Sequence, residues 1–406
     1  MAIGVLHAIT SLESGGAQTM LLRLLEQTSR TEFEPVVLGL MRPDEARVGT
    51  VAPQLAALGV AIATLDMPRR MATWRSIWRL CRTMRAVAPD LVQGWLYHGN
   101  LAATIGAQSS PCRPPVIWNV RHSVHDLALE KRLTRWIIRM SARLSPLPRA
   151  IIYNSRLGAA QHQALGFDAS RTVVIPNGFD TARFRPRPEG KIRLCQELGI
   201  DPARTVIGMI ARDHAMKDPG NLVRAVAQLR ARGCAAIHLV IAGDGLDGTH
   251  AELGALVAEL GLGSRVTLLG ERNDVPALVA GFDIAALPSA WGEGFPNVLG
   301  EAMASGVPCV ATDVGDSAWV IGPHGIIVPP RQSEALAHAL SRLIGLGADA
   351  RRQLGLAGRA RIVQHFSIQE VARQYEQLHR QVSAAHAVHR PRRGGEAARA
   401  RHRRAV

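Results

Sequence analysis

The chain has 406 residues, 47% of them hydrophobic, and carries a formal charge of +15. That length exceeds one ordinary core and predicts two domains, no run of about twenty apolar residues offers a spanning helix, and the opening Met-Ala-Ile-Gly-Val-Leu-His reads as a strand rather than a signal peptide. The five cysteines (Cys81, Cys112, Cys195, Cys234, Cys309) are scattered and never form Cys-x-x-Cys, which points to a reducing cytoplasm and away from a disulfide framework or a zinc site.

In chain order, apolar runs alternate with amphipathic segments, the pattern of a parallel α/β sheet. Strands are expected at Ile3–Ala8, Pro35–Leu40, Asp90–Trp95, Pro115–Val120, Ala150–Tyr153 and Val173–Ile175. Behind the first of them, Gly15-Gly16-Ala17 opens a helix expected at about Gln18. Glycines there let backbone N–H groups approach an anion, although a plain tight turn explains the pair equally well.

Arg69–Arg85 and Lys131–Leu144 read as basic amphipathic helices. Their apolar stripes are Trp74, Ile77/Trp78, Cys81 and Met84 in one, and Leu133, Trp136/Ile137, Met140 and Leu144 in the other. Such helices suit an anionic membrane surface, or else ordinary packing with solvated basic faces. His98, in Trp95-Leu-Tyr-His98, and His122, just after the strand Pro115–Val120, are candidate cleft residues. Asp126 is placed to orient His122 if the loop becomes helical; a merely polar or N-capping loop histidine is the alternative.

The Pro- and Gly-rich run 175–190 reads as a linker. Six further strands are expected at Thr205–Ala211, Ile237–Ala242, Val266–Leu269, Ile284–Leu287, Cys309–Thr312 and Ile326–Val328, followed by helix from Ser333 to about His386. The loop after the first of these holds Arg212 and Lys217. The chain has 45 arginines and only Lys131, Lys191 and Lys217 as lysines, so a lysine retained here suggests that a compact charge on a flexible stem is wanted. Arg212 can fork onto two phosphate oxygens while Lys217 covers another face, unless both are solvated loop charges. The glycine turn at Gly243 and Gly245 reads as structural. No Asp-x-Asp and no metal-ligand spacing is present, so no metal is expected.

The densest pattern is Pro288-Ser-Ala-Trp-Gly-Glu293-Gly294-Phe295-Pro296-Asn297-Val-Leu-Gly-Glu301, followed by Ala-Met-Ala-Ser-Gly306-Val-Pro. It reads as a strand end, a glycine-bracketed loop with Glu293, and a short helix with Pro296 in its first position, Gly306 at its stop, and Asn297 and Glu301 on one face. A loop and helix N-terminus at a strand's carboxyl end favour phosphate, and two carboxylates there suit the hydroxyl-rich groups flanking one.

This stretch resembles the Glu-x7-Glu signature of retaining nucleotide-sugar glycosyltransferases of family four, over about thirty positions and with a weaker likeness along residues 3–375. The resemblance implies the GT-B fold: two Rossmann-like α/β domains facing across a cleft, with boundaries expected at 1–180 (acceptor side), 181–190 (linker), 191–366 (donor nucleotide), 367–386 (a terminal helix returning to the first domain) and 387–406 (a basic tail expected to be disordered). It also implies site roles. Gly15 and Gly16 face the donor diphosphate; Arg212 and Lys217 serve the leaving diphosphate; Glu301 holds the ribose; Glu293, Gly294, Phe295, Pro296 and Asn297 orient the sugar; His122 reaches toward it. His122, Arg212, Lys217 and Glu293 are the catalytic set. The expected function is transfer of a sugar, from a UDP-sugar, to a lipid-linked or polysaccharide acceptor, with no cofactor and no metal, on an anionic membrane surface at the inner face of the cytoplasmic membrane, and with no nucleic acid partner. A nucleotide-sugar epimerase of the same fold, or a non-catalytic membrane- or nucleic-acid-binding module, are the alternatives.

Overall fold

The computed structural model describes residues 2–13, 15–41, 49–68 and 73–388. The basic tail from His389 and the start of the first amphipathic helix, 69–72, lie outside the described residues. The chain divides into two compact units, Met1–Gly178 with Ile368–Val406, and Phe179–Ser367.

Unit one holds β1 (Ile3–Ile9), α1 (Gly16–Gln27), β2 (Phe33–Met41), α2 (Ala52–Ala57), β3 (Ala61–Met67), α3 (Trp74–Val87), β4 (Leu91–Trp95), α4 (Leu96–Ser109), β5 (Val116–Val120), α5 (Arg132–Leu144), β6 (Ala150–Tyr153), α6 (Arg156–Ala164) and β7 (Thr172–Val174). Its strands pair in parallel in the order β3-β2-β1-β4-β5-β6-β7. Helices cover both faces, and all ten residues of β4 and β5 are buried, apolar except for Gly94 and the hydrogen-bonded Gln93 and Asn119. The strand β3 is missing from the sequence reading. It lies at the sheet edge and only Leu65 is buried, so its small, half-exposed residues give no apolar run.

Unit two holds α7 (Gly190–Leu198), β8 (Thr205–Ile210), α8 (Pro219–Ala231), β9 (Ile237–Ala242), α9 (Ala251–Glu259), β10 (Val266–Leu268), α10 (Val275–Val279), β11 (Ile284–Leu287), α11 (Asn297–Ala304), β12 (Cys309–Thr312), α12 (Ser317–Ile321), β13 (Gly325–Val328), α13 (Ser333–Gly345) and α14 (Gly347–Phe366). Its parallel order is β10-β9-β8-β11-β12-β13. The final helix α15 (Ile368–Val388) belongs to unit one. There Tyr375 stacks on Trp95 with 6.1 Å between ring centroids, accepts a hydrogen bond from Asn119 Nδ2 at 2.9 Å, and His379 Nε2 donates to Gln93 Oε1 at 2.6 Å.

In both sheets the chain starts in the middle and builds outward in one direction before crossing to the other side. The crossover falls between β1 and β4 in unit one and between β8 and β11 in unit two. Loops leaving the carboxyl ends of such a strand pair diverge and open a crevice, the usual ligand position in open α/β sheets.

Candidate active site

Lys217 and Glu293 meet over the β8/β11 crossover. Lys217 ends a short 3-10 turn, residues 215–217, that His214 caps by accepting the Met216 N–H at 3.1 Å. Asp218, at φ +46°, then caps α8. Glu293, in the loop after β11, is only 6% exposed, and its Oε1 accepts from Lys217 Nζ at 2.5 Å and from Ser289 Oγ at 2.6 Å. A buried carboxylate is tolerated when paired and hydrogen-bonded in this way. The ammonium has three N–H donors, so the pair leaves two for another acceptor.

Hydrogen bonds to backbone carbonyls hold this arrangement. Ala290 N donates to Met216 O at 2.8 Å, Thr312 Oγ1 to Ser289 O at 2.6 Å, and Asp316 N to Gly294 O at 2.9 Å. Gly315, at φ +63°, admits the loop: a Cβ there would stand 2.4 Å from Glu293 O. Gly243, at φ +144°, is structural as the turn pattern suggests, because a Cβ would overlap Ala211 O at 1.6 Å. The same turn steadies the Arg212 loop through Asp213 N donating to Asp244 O at 2.7 Å. Arg212 is exposed.

The helix α11 begins at Asn297, so Pro296 is its N-cap rather than its first helical residue, and Gly306 follows its end at φ +76°. Asn297 is exposed and Glu301 half-buried, four apart on one face. Phe295 turns inward, packing on Phe179 at 5.9 Å and Trp319 at 5.7 Å, so what it offers a ligand is backbone. Arg272, in the loop after β10, is tied to Glu197 at 2.6 Å and to both Asp274 oxygens at 2.7 Å. Among the described residues no three His, Cys, Asp or Glu side chains converge as a metal-holding group.

Unit one carries Gly15, Gly16, His98 and His122. Gly15 is the extended N-cap of α1, which starts at Gly16, two residues earlier than the sequence suggests; a Cβ on Gly16 would meet nothing within 4 Å. His98 is exposed in the first turn of α4. His122 lies two residues beyond β5, and its carboxylate partner is Glu130, with Nε2 3.3 Å from Oε1. Asp126 does not orient it. The loop 121–126 is not helical, and Asp126 spends its side chain capping Ala128 N at 2.7 Å. Tyr97 Oη stands 3.3 Å from His122 Nδ1. Tyr97, Glu130 and Ser289 were not singled out by sequence. Ser289 and Tyr97 lie inside quoted motifs, whereas nothing in the chain pattern marks Glu130.

The amphipathic helices bury only part of the apolar stripes read from sequence, Met84 in α3 and Ile137 in α5. In α3 the packed residues are Ser76, Leu80 and Met84, while Trp74 is 73% and Trp78 55% exposed and Ile77 is exposed too. In α5 they are Ile137, Ile138, Ser141 and Ala142, with Leu133 and Trp136 exposed. The packed residues of α3 recur every four positions and share Met84 with the stripe of Trp74, Ile77/Trp78 and Cys81. The face that packs is the one whose small Ser76 and slim Leu80 and Met84 fit against α4 at Gly106, where a Cβ would come within 3.0 Å of Met84 Cγ.

Residues 14–183 match the family model described as Glycosyltransferase Family 4, and residues 204–345 match the one described as Glycosyl transferases group 1. The chain is 30% identical over 296 residues to the lipopolysaccharide core biosynthesis mannosyltransferase LpsB of Rhizobium meliloti, covering 66% of this chain and 78% of that one. It is 28% identical over 335 residues to the MMP alpha-(1->4)-mannosyltransferase of Mycolicibacterium hassiacum, covering 77% of each. In fold it is similar to HepE of Anabaena, solved in complex with UDP, with a TM-score of 0.76 at 23% identity over 93% of this chain and 99% of that one. With two parallel α/β units of this topology and matches along both, the chain belongs to the nucleotide-sugar glycosyltransferases of family four and is an enzyme of the GT-B fold.

Proposed function

We propose that this glycosyltransferase is a retaining, metal-independent enzyme that moves a hexosyl group from a UDP-sugar to a lipid-linked or polysaccharide acceptor at the inner face of the cytoplasmic membrane. The observation that carries the reading is the buried Glu293 holding Lys217 over the crossover of unit two, with Arg212 exposed on the same loop as the lysine. Departure of a nucleoside diphosphate builds negative charge. An anchored ammonium with two N–H groups to offer and a guanidinium fork match that charge without a metal, each well-placed donor contributing ~3–4 kcal/mol.

Glu301 is assigned to the ribose hydroxyls, and the backbone of 294–297 with Asn297 to the sugar. Gly15, Gly16 and His122, on unit one, keep the roles the resemblance implies, toward diphosphate and sugar. Retention follows from attack on the face the diphosphate leaves, with a departing phosphate oxygen taking the acceptor hydroxyl proton as the new glycosidic bond forms. No covalent nucleophile is required.

Donor choice has two supports that differ. The fold relative binds UDP, whereas two sequence relatives are named mannosyltransferases. A thermal-shift panel of UDP- and GDP-sugars, followed by turnover in EDTA, tests the reading. We expect stabilisation by a UDP-sugar, release of free nucleotide only when acceptor is added, and activity that survives chelation. Stabilisation by GDP-sugars alone would overturn the donor, and turnover lost in EDTA and restored by magnesium or manganese would overturn the metal-free mechanism. Epimerised donor without nucleotide release would overturn transfer itself.

A further inference from the structure

His122 stands in a hydrogen-bonded chain whose direction the chemistry fixes from its far end. His162, on α6, places Nδ1 2.7 Å from Gly158 O; a carbonyl only accepts, so Nδ1 carries the hydrogen. His162 is fully buried among Phe167, Tyr153 and Tyr97, and burial lowers its pKa to about 4, so at neutral pH its Nε2 is a bare acceptor. Tyr97 Oη lies 2.6 Å from that Nε2 and must donate its hydroxyl hydrogen to it. The Tyr97 oxygen is then left as an acceptor facing His122 Nδ1 at 3.3 Å, which requires a hydrogen on Nδ1 of His122.

We infer that Tyr97 and His162 are positioning residues that hold His122 with hydrogen on Nδ1, so that Nε2 is the atom His122 presents to the donor sugar. The inference rests on the sugar-facing role proposed above for His122. It is not a packing statement alone, because an aromatic of the same shape at 97 fills the same space with the opposite consequence for the proton. The local backbone supports a dedicated arrangement. Tyr97 follows Leu96, which sits at φ +63° where β4 turns into α4 without a loop. A leucine there is strained, and such strain persists where surrounding structure fixes it.

The test is ring-15N NMR of the full chain with labelled histidine, the His122 signals assigned by their loss in His122→Gln. We expect Nδ1 of His122 to carry hydrogen in the wild type, and Tyr97→Phe to shift the neutral ring toward the Nε2–H form. A bare Nδ1 in the wild type overturns the inference, and that spectrum decides the matter even if Tyr97→Phe fails to fold. An unchanged His122 spectrum in a folded Tyr97→Phe protein overturns it as well. Kinetically, Tyr97→Phe should lower kcat about tenfold, the worth of one lost hydrogen bond, with UDP affinity unchanged. The spectra need no turnover, so a chain that shows the expected tautomer but transfers no sugar sinks the proposed function and leaves the Tyr97–His162 assignment standing.

Discussion

The contact of Lys217 with Glu293 over the crossover of unit two bears on stability and on the proposed chemistry, and substitutions separate the two. Lys217 is only 16% exposed at its side chain and Glu293 8%, so removing the lysine leaves a carboxylate buried without its counter-charge. Lys217→Met should therefore cost about 3–5 kcal/mol in stability, the range for breaking a buried pair from one side. Glu293→Gln in the same chain should recover more than about 1 kcal/mol of that in a double-mutant cycle. Urea unfolding of the four proteins measures both, and additive losses would show that the pair is not coupled. Lys217→Arg keeps the charge but replaces a compact ammonium by a planar fork in a space closed by Ser289 and Glu293, so it should lower kcat more than it raises the donor KM. Lys191→Arg is the control: Lys191 pairs with Asp283 at 2.8 Å at the edge of solvent, where an arginine substitutes within about 1 kcal/mol. The sequence marks Arg212, Lys217 and Glu293 because each follows a strand on a loop with unusual residues. It does not mark their pairing, since 76 positions separate Lys217 from Glu293 and only the sheet order brings β8 beside β11.

At the scale of elements, legibility follows burial. The inner strands β8, β9, β11 and β12 of unit two are readable because parallel strands covered on both faces are mostly apolar; the edge strands β10 and β13 are half-exposed but still short runs rich in Val, Ile and Leu, whereas the edge strand β3 mixes Ala, Thr and Asp into its run. Helix faces are harder. Spacing shows that α3 and α5 are amphipathic, but which of two apolar-containing faces packs depends on side-chain volume at α4, which periodicity does not carry. The helix α15 adds a pH-dependent element. His379 sits in its packed face beside His7, Phe33 and Tyr375, and burial pushes its pKa down to about 3 from 6.5; His7 is lowered too, by burial first and then by His379. Between those values the unfolded chain binds a proton that the folded chain refuses. The stabilisation is present above about pH 6.5 and drains away as pH falls toward 3, at up to ~1.4 kcal/mol per pH unit for one histidine. His379→Gln, whose amide can still donate to Gln93 Oε1, should flatten the loss of stability between pH 6.5 and 4 by close to one proton's slope. Chemical denaturation across that range checks it, and an unchanged slope would mean that His379 is already protonated in the folded chain.

For the molecule as a whole, charge is the organising asymmetry. Residues 1–185 hold 22 basic against 12 acidic side chains, and residues 186–379 hold 18 against 20, so the positive field belongs to the first half and the tail. Unit one also carries the exposed apolar side chains Trp74, Ile77 and Trp78 on α3, Ile105 on α4, and Leu133 and Trp136 on α5, three helices that pack side by side through α4. No helix among the described residues is long and apolar enough to cross a membrane. Exposed tryptophans among arginines suit the proposed docking on anionic lipid, and the geometry singles out particular arginines. Arg79 is engaged by Asp66 at 3.0 Å, whereas the Arg75 guanidinium lies over Trp74 at 5.6 Å and that of Arg82 over Trp78 at 5.5 Å. Each basic residue near such a surface adds ~1 kcal/mol, screened as salt rises. Arg75→Glu, Arg82→Glu and Arg139→Glu together should release the protein from vesicles of phosphatidylglycerol at low salt, and Trp74→Ala with Trp136→Ala should weaken binding in a way that salt does not restore. Neither set should change melting temperature by more than a few degrees or affect turnover on a soluble acceptor, because none of these side chains is packed in the core. Equal co-sedimentation of wild type and both variants, or none by any, would leave the two helices as ordinary solvated surface and return the source of the positive field to the acceptor's own phosphates.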